Sequence, residues 1–284
     1  MCGFASDIPG GAEKNNKGNE MQKKFMSAAA MFFACAMAGT SLAADKLAIG
    51  TEGDYAPFNY VTASGEIKGF DYDIGQAVCA EIKMECVWST NEWSGIIPAL
   101  QAKKFDVMIA SMAINEDRKK EVDFTKPYYF NAMRFITRKD LGLAQVSPEA
   151  LKGKVIGTQS GSVAVEALQE FFPDSEIKLY PTLSEVFLDM ANGRLDLILE
   201  GQMALTDWLA KDDSGCCDFV GDSFILDTAQ GNAMAVRKGN EALLSKLNSG
   251  LEAIMANGTY EKIRKQYFDF DIMARPKSTT EYFR

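Results

Sequence analysis

The stretch KVIGTQSGSVAVEALQEFFPDSEIKLYPTLSEVFLDMANGRLDLILE, residues 154–200, alternates apolar β-type runs with segments of helical spacing. The β-type runs are 154–159, 176–181 and 195–200, and the helical segments are 160–172 and 184–193. A further helical segment, QMALTDWLAK, follows directly. Such alternation is typical of βαβ units, in which helices cover both faces of a parallel sheet. The stretch therefore predicts an α/β fold.

The same alternation occurs earlier in the chain. The β-type runs there are KLAIGTE, VWST and VMIASMAI, and the helical segments between them are GFDYDIGQAVCAEIKME and SGIIPALQAKKFD. Two such repeats fit two α/β lobes of about 100 residues or more better than one large sheet. After a last strand in NAMAVRKGN, the spacing predicts one long amphipathic helix from Glu241 to Tyr267 that caps a lobe.

Residues 1–44 predict an extension followed by an export signal. Residues 21–44, MQKKFMSAAAMFFACAMAGTSLAA, have two lysines, an uncharged apolar run and small residues at the end, the pattern of a cleavable secretory signal peptide. Cleavage after Ala44 is favoured over cleavage one residue earlier, because a strand begins almost at once. Residues 1–20 are interpreted as an upstream start-site artefact or a disordered extension. A transmembrane anchor and a lipid-modified Cys35 are the weaker alternatives.

The composition excludes several classes of function. The chain has 284 residues, 30 Lys and Arg against 39 Asp and Glu, a formal net charge of −9 and no histidine. Nucleic acid is not expected as a partner, because its binding depends on clustered Lys and Arg. The absence of histidine removes Ser-His-Asp and Cys-His nucleophiles, HExxH zinc sites and histidine general bases. The composition favours binding without catalysis, and no metal or cofactor is expected.

Four cysteines lie downstream of the export signal: Cys79, Cys86, Cys216 and Cys217. Because an exported protein sits in an oxidising compartment, Cys79 and Cys86 are expected to form a short-loop disulfide between a helix end and the following strand. Two buried thiols are the alternative. For the adjacent Cys216 and Cys217, a strained vicinal disulfide, free thiols and pairing with another chain remain open.

Three strand-to-helix turns carry polar or aromatic residues: TEGDYAPF, ASMAINEDR and TQSGSVA. In open parallel sheets, ligands bind at the carboxyl ends of strands, beside helix N-termini whose free N–H groups attract anions. Two lobes that face each other would enclose a cleft lined by these turns.

Six motifs stand in this order along the chain: TEGDYAPFNY, GEIKGFDYDIGQAVC, IIPALQAKKFDVMIASMAINEDRKKEVDFT, LKGKVIGTQSGS, GRLD and NGTYEKIRKQYFDFDI. By these motifs the chain resembles the polar amino-acid-binding proteins of bacterial ABC importers. Within that family it looks like the lysine/arginine/ornithine-, histidine- and opine-binding proteins. The resemblance implies the type II periplasmic binding protein fold, in which two α/β lobes are joined by two hinge strands.

The resemblance also implies an organisation and a function. Lobe 1 is expected to comprise residues 45–130 and 230–284, and lobe 2 residues 131–229, with crossovers near Tyr129–Asn131 and Leu226–Gly231. In the periplasm the lobes would close on a carboxylate-bearing amino acid or amino-acid derivative. The closed protein would then deliver that ligand to an ABC permease in the inner membrane. A monomer without enzyme activity is expected.

Individual roles follow by position from the family. Arg118 matches the arginine that binds the ligand α-carboxylate, and Tyr55 and Trp93 match aromatic residues that sandwich its aliphatic part. Glu52 matches an acidic position that meets a cationic side chain, and Ser111 matches a cleft serine that touches the ligand headgroup. The complete expected set of ligand-binding residues is Glu52, Tyr55, Trp93, Ala110, Ser111, Met112, Arg118, Gln159, Gly161, Ser162, Val163, Glu200, Gly201 and Gln202.

Four positions depart from the family pattern. Ala110 and Ala113 replace serines beside Ser111, Val163 replaces a threonine, and Gly201 replaces the aspartate that pairs with the ligand α-ammonium. An ammonium left without that carboxylate loses a hydrogen bond worth about 1.5–3 kcal/mol, unless Glu200 or Gln202 takes the role. The departures favour a ligand whose α-nitrogen is substituted or absent, such as an opine or a lactam.

Two further functions are less favoured. Some relatives of the family are dehydratases of cyclohexadienyl acids, and here Glu52 or Glu200 with a raised pKa would have to serve as the general acid. In a sensory role, the liganded protein would dock on a receptor component. The sequence does not separate that role from transport.

Overall fold

The computed structural model describes residues 45–211 and 214–283. The predicted extension and signal peptide lie outside these residues. Within them, no helix combines the length and the apolar character needed to cross a bilayer.

The chain up to the first crossover forms seven strands and three helices. They are β1 (Asp45–Thr51), β2 (Asp54–Tyr55), β3 (Asn59–Val61), β4 (Ile67–Lys68), α1 (Phe70–Glu81), β5 (Met84–Thr90), α2 (Ile96–Gln101), β6 (Val107–Met108), α3 (Glu116–Glu121) and β7 (Val122–Phe124).

The described residues of the middle part form five strands and four α-helices. They are β8 (Met133–Arg138), α4 (Pro148–Leu151), β9 (Val155–Gln159), α5 (Val163–Phe171), β10 (Glu176–Tyr180), α6 (Leu183–Ala191), β11 (Leu197–Gly201), α7 (Gln202–Leu209) and β12 (Cys217–Phe224). The last part forms β13 (Ala235–Arg237), α8 (Glu241–Ala256), α9 (Thr259–Tyr267) and α10 (Thr279–Phe283).

Two five-stranded sheets organise these elements. One has the order β5-β1-β6-β13-β7, and the other the order β10-β9-β11-β8-β12. We call the first sheet and its helices lobe 1, and the second sheet and its helices lobe 2. In each sheet the first three strands are parallel and the fourth is antiparallel. The two-lobe α/β fold is confirmed, and the antiparallel strands are those next to the crossovers.

Apolar residues cover both faces of each sheet. In lobe 1, one core lies under α1, α8 and α9, and a second core lies under α2. In lobe 2, one core lies under α5 and α10, and the other under α6 and α7. This two-sided burial explains why the strands read as continuous apolar runs rather than as alternating ones.

Two segments connect the two sheets. Residues 125–132 lead from β7 to β8, and residues 225–234 lead from β12 back to β13. They run beside each other, since Tyr128 N–H donates to Asn232 O at 3.0 Å and Asn232 N–H donates to Tyr129 O at 2.8 Å. The expected hinge positions fall within these two segments.

The C-terminal tail differs from the expected lobe boundary. Residues 230–284 were assigned to lobe 1, but α10 packs on lobe 2. The backbone N–H of Ile225 donates to Lys277 O at 2.9 Å, and the ring of Phe283 lies 5.2 Å from that of Phe224. The physical reason is that the aromatic end of the tail packs into an apolar pocket between α5 and β12.

Two predicted elements are shorter than the sequence suggested. The single helix predicted from Glu241 to Tyr267 is interrupted before Gly258, whose φ of +81° precedes the second helix. The strand predicted in VMIASMAI covers only Val107–Met108. The chain then leaves the sheet, and Ser111 adopts a φ of +54°, which places the following residues at the cleft.

Both cysteine pairs form disulfides. Cys79–Cys86 joins the end of α1 to β5, as expected from the sequence. Cys216–Cys217 forms the vicinal disulfide that was one of three alternatives, at the start of β12. Each lobe therefore carries one cross-link, with very different loop lengths.

Candidate functional site

A cleft of about 510 Å³ lies between the lobes at the carboxyl ends of the strands. Its lining residues are Glu52, Tyr55, Trp93, Ala110, Ser111, Ala113, Arg118, Asn131, Met133, Gln159, Ser162, Val163, Ala164, Glu200, Gly201 and Asn232. All predicted site residues except Met112, Gly161 and Gln202 are in this set. Their role in binding a ligand remains a prediction.

The three exceptions lie in a core, at the rim of the cleft and at a separate cavity. Met112 is 2% exposed and packs in the core under α2. Gly161 contributes its carbonyl oxygen, which accepts a hydrogen bond from Arg118 at the cleft rim. Gln202 begins α7 and lines a separate cavity beside the C-terminal tail. Gln202 therefore does not replace the aspartate that is missing at 201.

Arg118 is held at the N-terminal end of α3. Asn115 caps this helix by accepting from Arg118 N–H at 2.9 Å. The guanidinium donates to Ala113 O at 2.8 Å and to Gly161 O at 2.9 Å, and it lies 5.4 Å from the centre of the Trp93 ring. Burial lowers the pKa of Arg118 to about 10, which leaves it charged at neutral pH. The two hydrogen bonds leave other guanidinium N–H groups available as donors.

Two carboxylates meet at Gln159. The side-chain amide of Gln159 donates to Glu52 Oε1, and its backbone N–H donates to Glu200 Oε1 at 2.9 Å. Burial raises the pKa of Glu52 to about 7, and the negative charges of Asp54 and Glu200 add to this effect. Burial also raises the pKa of Glu200, which is 3% exposed. A nearby cation would favour the ionised form of both groups.

A buried network behind the cleft fixes Ser111. Its hydroxyl donates to Asp71 Oδ2 at 2.8 Å, and Asp71 also accepts from Asn59 at 3.0 Å and from Tyr128 at 2.6 Å. The Ser111 carbonyl accepts from the Asn232 side chain at 2.6 Å. These bonds hold Ser111 in its left-handed conformation, which a residue with a side chain adopts only when its surroundings impose it.

Gly201 is packed against lobe 1. A Cβ at this position would overlap the Tyr55 hydroxyl and the Asn131 side-chain amide. These two groups hydrogen-bond to each other at 3.1 Å. The glycine is therefore required for close approach, and an aspartate would not fit here in this conformation.

Several contacts cross the cleft, so the structure is a closed form. Asn115 donates to Glu166 Oε1 at 2.9 Å, and Ser184 N–H donates to Asp54 Oδ2 at 3.0 Å. The Arg118–Gly161 and Gln159–Glu52 hydrogen bonds also join the two lobes.

The sequence did not assign Asn131, Met133, Ala164 and Asn232 to the site, and it named Ala113 only as a departure. Asn131 and Asn232 lie in the crossovers, which have neither helical nor strand periodicity to reveal their orientation. Asp71 could have been suspected, because a carboxylate in the first turn of a buried helix needs donors. The described residues contain no cluster of three metal-binding side chains.

Comparison with known proteins shows which family the chain matches. Residues 47–270 match the model of the bacterial extracellular solute-binding proteins, family 3. The L-arginine-binding protein of Pseudomonas aeruginosa is 40% identical over 240 residues, which cover 82% of this chain and 92% of that protein. The lysine/arginine/ornithine-binding periplasmic protein of Escherichia coli K12 is 31% identical over 257 residues, covering 88% and 98%.

A solved structure supports the same fold. An ancestral arginine-binding protein bound to arginine superposes with a TM-score of 0.74 at 33% identity, covering 80% of this chain and 99% of its own. The resemblance noted from the six sequence motifs is thereby confirmed.

Proposed function

The chain belongs to the bacterial extracellular solute-binding proteins of family 3, and on this premise we propose that it is a periplasmic amino-acid-binding protein of an ABC importer. It captures an amino acid with a cationic side chain, arginine being the first candidate, between its two lobes. The closed form then presents the ligand to a permease in the inner membrane. The named specificities of the relatives support this class of ligand.

The pairing of two buried carboxylates at Gln159 carries the proposal. Glu52 and Glu200 each contact this residue, and negative charge raises the pKa of Glu52 further. Burying two carboxylates near each other without a cation is unfavourable. A ligand guanidinium or ammonium group compensates for this charge, which makes the closed form more stable with ligand than without it.

The charges of the cleft fit a basic amino acid as a whole. Among the described lining residues, the Arg, Lys, Asp and Glu side chains are Arg118, Glu52 and Glu200. With both carboxylates ionised, this lining carries one positive and two negative charges. A ligand with one carboxylate and two cationic groups balances it. Tyr55 and Trp93 supply aromatic faces for the aliphatic and guanidinium parts between these ends.

A receptor for an N-substituted derivative such as an opine is the second candidate. One observation favours it: Gly201 has no carboxylate for a primary ammonium, and its packing against Tyr55 and Asn131 leaves no space for one. The charge balance speaks against a dicarboxylic opine, because its second carboxylate would enter a cleft that already holds two.

Isothermal titration calorimetry of the exported chain tests the proposal. The ligands are L-arginine, L-lysine, L-glutamine, octopine, and agmatine, which is arginine without its carboxylate. We expect L-arginine to bind at least about 10-fold more tightly than L-glutamine, because glutamine lacks the cationic side chain. We expect agmatine to bind poorly, because it lacks the carboxylate. Binding of octopine without binding of any free basic amino acid would instead establish the second candidate.

The enzymatic and sensory alternatives need separate measurements. Glu52, with a pKa of about 7, has the acidity of a general acid. We propose that this pKa serves cation binding, and we expect no release of phenylpyruvate or phenylalanine from prephenate or arogenate. A pull-down with the cognate permease tests the transport role.

A further inference from the structure

The side-chain oxygen of Asn131 is a buried acceptor without a partner among the described residues. Its amide group lines the cleft, although Asn131 lies in a crossover and not in either sheet. The Nδ2 atom is committed to the Tyr55 hydroxyl at 3.1 Å, and the backbone N–H donates to Asn232 Oδ1 at 3.1 Å. The contact with Tyr55 orients the side-chain amide and leaves Oδ1 without a hydrogen bond among the described residues.

A buried oxygen of this kind calls for a donor. Buried polar side-chain atoms are nearly always hydrogen-bonded, because leaving one unpaired costs the full desolvation of that group. The acceptor forms part of the cleft wall in the closed form. A ligand N–H that enters the cleft would supply this donor.

Asn131 and Gly201 also depend on each other. A side chain at 201 would overlap the Asn131 amide, so the two positions cannot both carry large polar groups in this closed form. The carboxylate that the family resemblance places at 201 is absent where the Asn131 amide is present. The acceptor that the family pattern places on lobe 2, the carboxylate at 201, is thus replaced by an acceptor on the crossover, Asn131 Oδ1.

We propose that Asn131 Oδ1 accepts the α-N–H of the ligand and thereby determines specificity at the ligand nitrogen. The inference rests on the proposed function, because it assumes an amino-acid ligand. A neutral amide oxygen needs one N–H and no full positive charge, so primary and N-alkylated α-nitrogens both satisfy it. The ligand class is therefore amino acids with at least one hydrogen on the α-nitrogen.

A ligand-deletion cycle tests this contact. Affinities of wild type and Asn131→Ala are measured by calorimetry for L-arginine and for 5-guanidinopentanoate, which has the same carboxylate and guanidinium but no α-nitrogen. We expect Asn131→Ala to weaken L-arginine about 10- to 100-fold and 5-guanidinopentanoate by less than about 3-fold. Equal losses for both ligands, or no loss for either, would overturn the proposal, since a merely structural role does not distinguish them.

Three further variants sharpen the result. Asn192→Ala, on the exposed end of α6, is the matched control and should leave both affinities unchanged. Asn131→Asp keeps the acceptor, so it should retain L-arginine binding. Gly201→Asp should fail to bind, because a side chain at 201 would overlap both the Tyr55 hydroxyl and the Asn131 amide. Wild-type affinity in this variant would contradict the close packing on which the inference rests.

The outcomes separate the inference from the proposed function. If wild type binds neither L-arginine nor 5-guanidinopentanoate, the proposed function fails and the inference fails with it. If wild type binds both and Asn131→Ala changes neither, only the inference fails. N-α-methyl-L-arginine is an additional probe, and its complete exclusion by wild type would contradict the tolerance for N-alkylated ligands.

Discussion

Lobe 1 and lobe 2 arrange their strands in the same way but contribute different groups to the cleft. Lobe 1 supplies long charged and aromatic side chains from Glu52, Tyr55, Trp93 and Arg118. Lobe 2 supplies mainly uncharged groups, and Glu200 is its one charged residue in the described lining. Equivalent frameworks therefore do not imply equivalent roles in recognition.

The supporting contacts differ as well. Lobe 1 fixes its binding loop through Asp71, which bonds to Ser111, Asn59 and Tyr128 within the same lobe. Lobe 2 instead approaches closely through Gly201, which packs directly against lobe 1. We infer that lobe 1 selects the ligand with a preformed surface and that lobe 2 covers it.

The largest effect is expected from Arg118→Ala in lobe 1. The substitution removes the one cationic side chain of the described lining, and truncating one partner of a buried charge pair costs 2–5 kcal/mol or more. We therefore expect the affinity for L-arginine, measured by calorimetry, to fall about 100-fold or more. Lys120→Ala, exposed on the same helix, is the matched control and should bind as wild type does. A loss below about 10-fold would mean that the N-terminus of α5 in lobe 2, and not lobe 1, holds the carboxylate.

Removing each disulfide in turn compares how much a cross-link stabilises each lobe. Cys79–Cys86 closes a loop with a sequence separation of 7, whereas Cys216–Cys217 joins neighbouring residues. Loop-closure entropy gives about 2 kcal/mol for the first and about 1 kcal/mol or less for the second. Urea denaturation of the two double serine variants measures both losses. A larger loss for the vicinal pair would show that it stabilises lobe 2 by something other than chain entropy.

The sequence predicted the sheet-forming elements well, but it missed the interruption of the last long helix and the packing of the C-terminal tail. The alternation of apolar runs and helical segments in 154–200 reflects two-sided burial, which leaves a strong pattern. Gly258 interrupts a helix without disturbing the apolar spacing on either side, so the periodicity continued across it. The aromatic tail was assigned to lobe 1 by its place in the chain, yet its packing partners are far away in sequence.

Residues of the cleft lining could be predicted where a family motif coincided with the end of a strand. The family motifs assigned Arg118 and Glu52, which follow β6 and β1 at the carboxyl edge of the parallel strands of lobe 1. The role of Asn131 depends on a hydroxyl 76 positions away and on the missing side chain of Gly201. No local pattern encodes such a contact between a crossover and both lobes.

The pH dependence distinguishes Glu52 of lobe 1 from Glu200 of lobe 2. Unliganded Glu52 has a pKa of about 7, so at pH 6 it is mostly protonated and a cationic ligand must displace that proton. The affinity for L-arginine should rise about 10-fold from pH 6 to pH 8 and then level off. Glu52→Gln should remove this rise, whereas a rise that persists in Glu52→Gln would assign it to Glu200.

The unliganded protein should respond to pH in the opposite direction. The pKa of folded Glu52 lies above the unfolded value of about 4.3. Its contribution to stability is therefore fully present below that value and is lost as the pH rises through about 7. Thermal denaturation of the unliganded wild type and of Glu52→Gln measures the difference, which saturating L-arginine should abolish.

The smallest effect is expected from the tail that joins lobe 1 to lobe 2. Phe283 stacks on Phe171 at 5.1 Å and meets Phe172 edge-on at 5.4 Å, so Phe283→Ala should lower the free energy of unfolding by about 1 kcal/mol. Phe270→Ala, in the same tail but 48% exposed, is the control and should change it by less than about 0.5 kcal/mol. Hydrogen exchange should then accelerate in α5 and not in α8. Acceleration in α8 instead would mean that the tail belongs energetically to lobe 1, despite its packing on lobe 2.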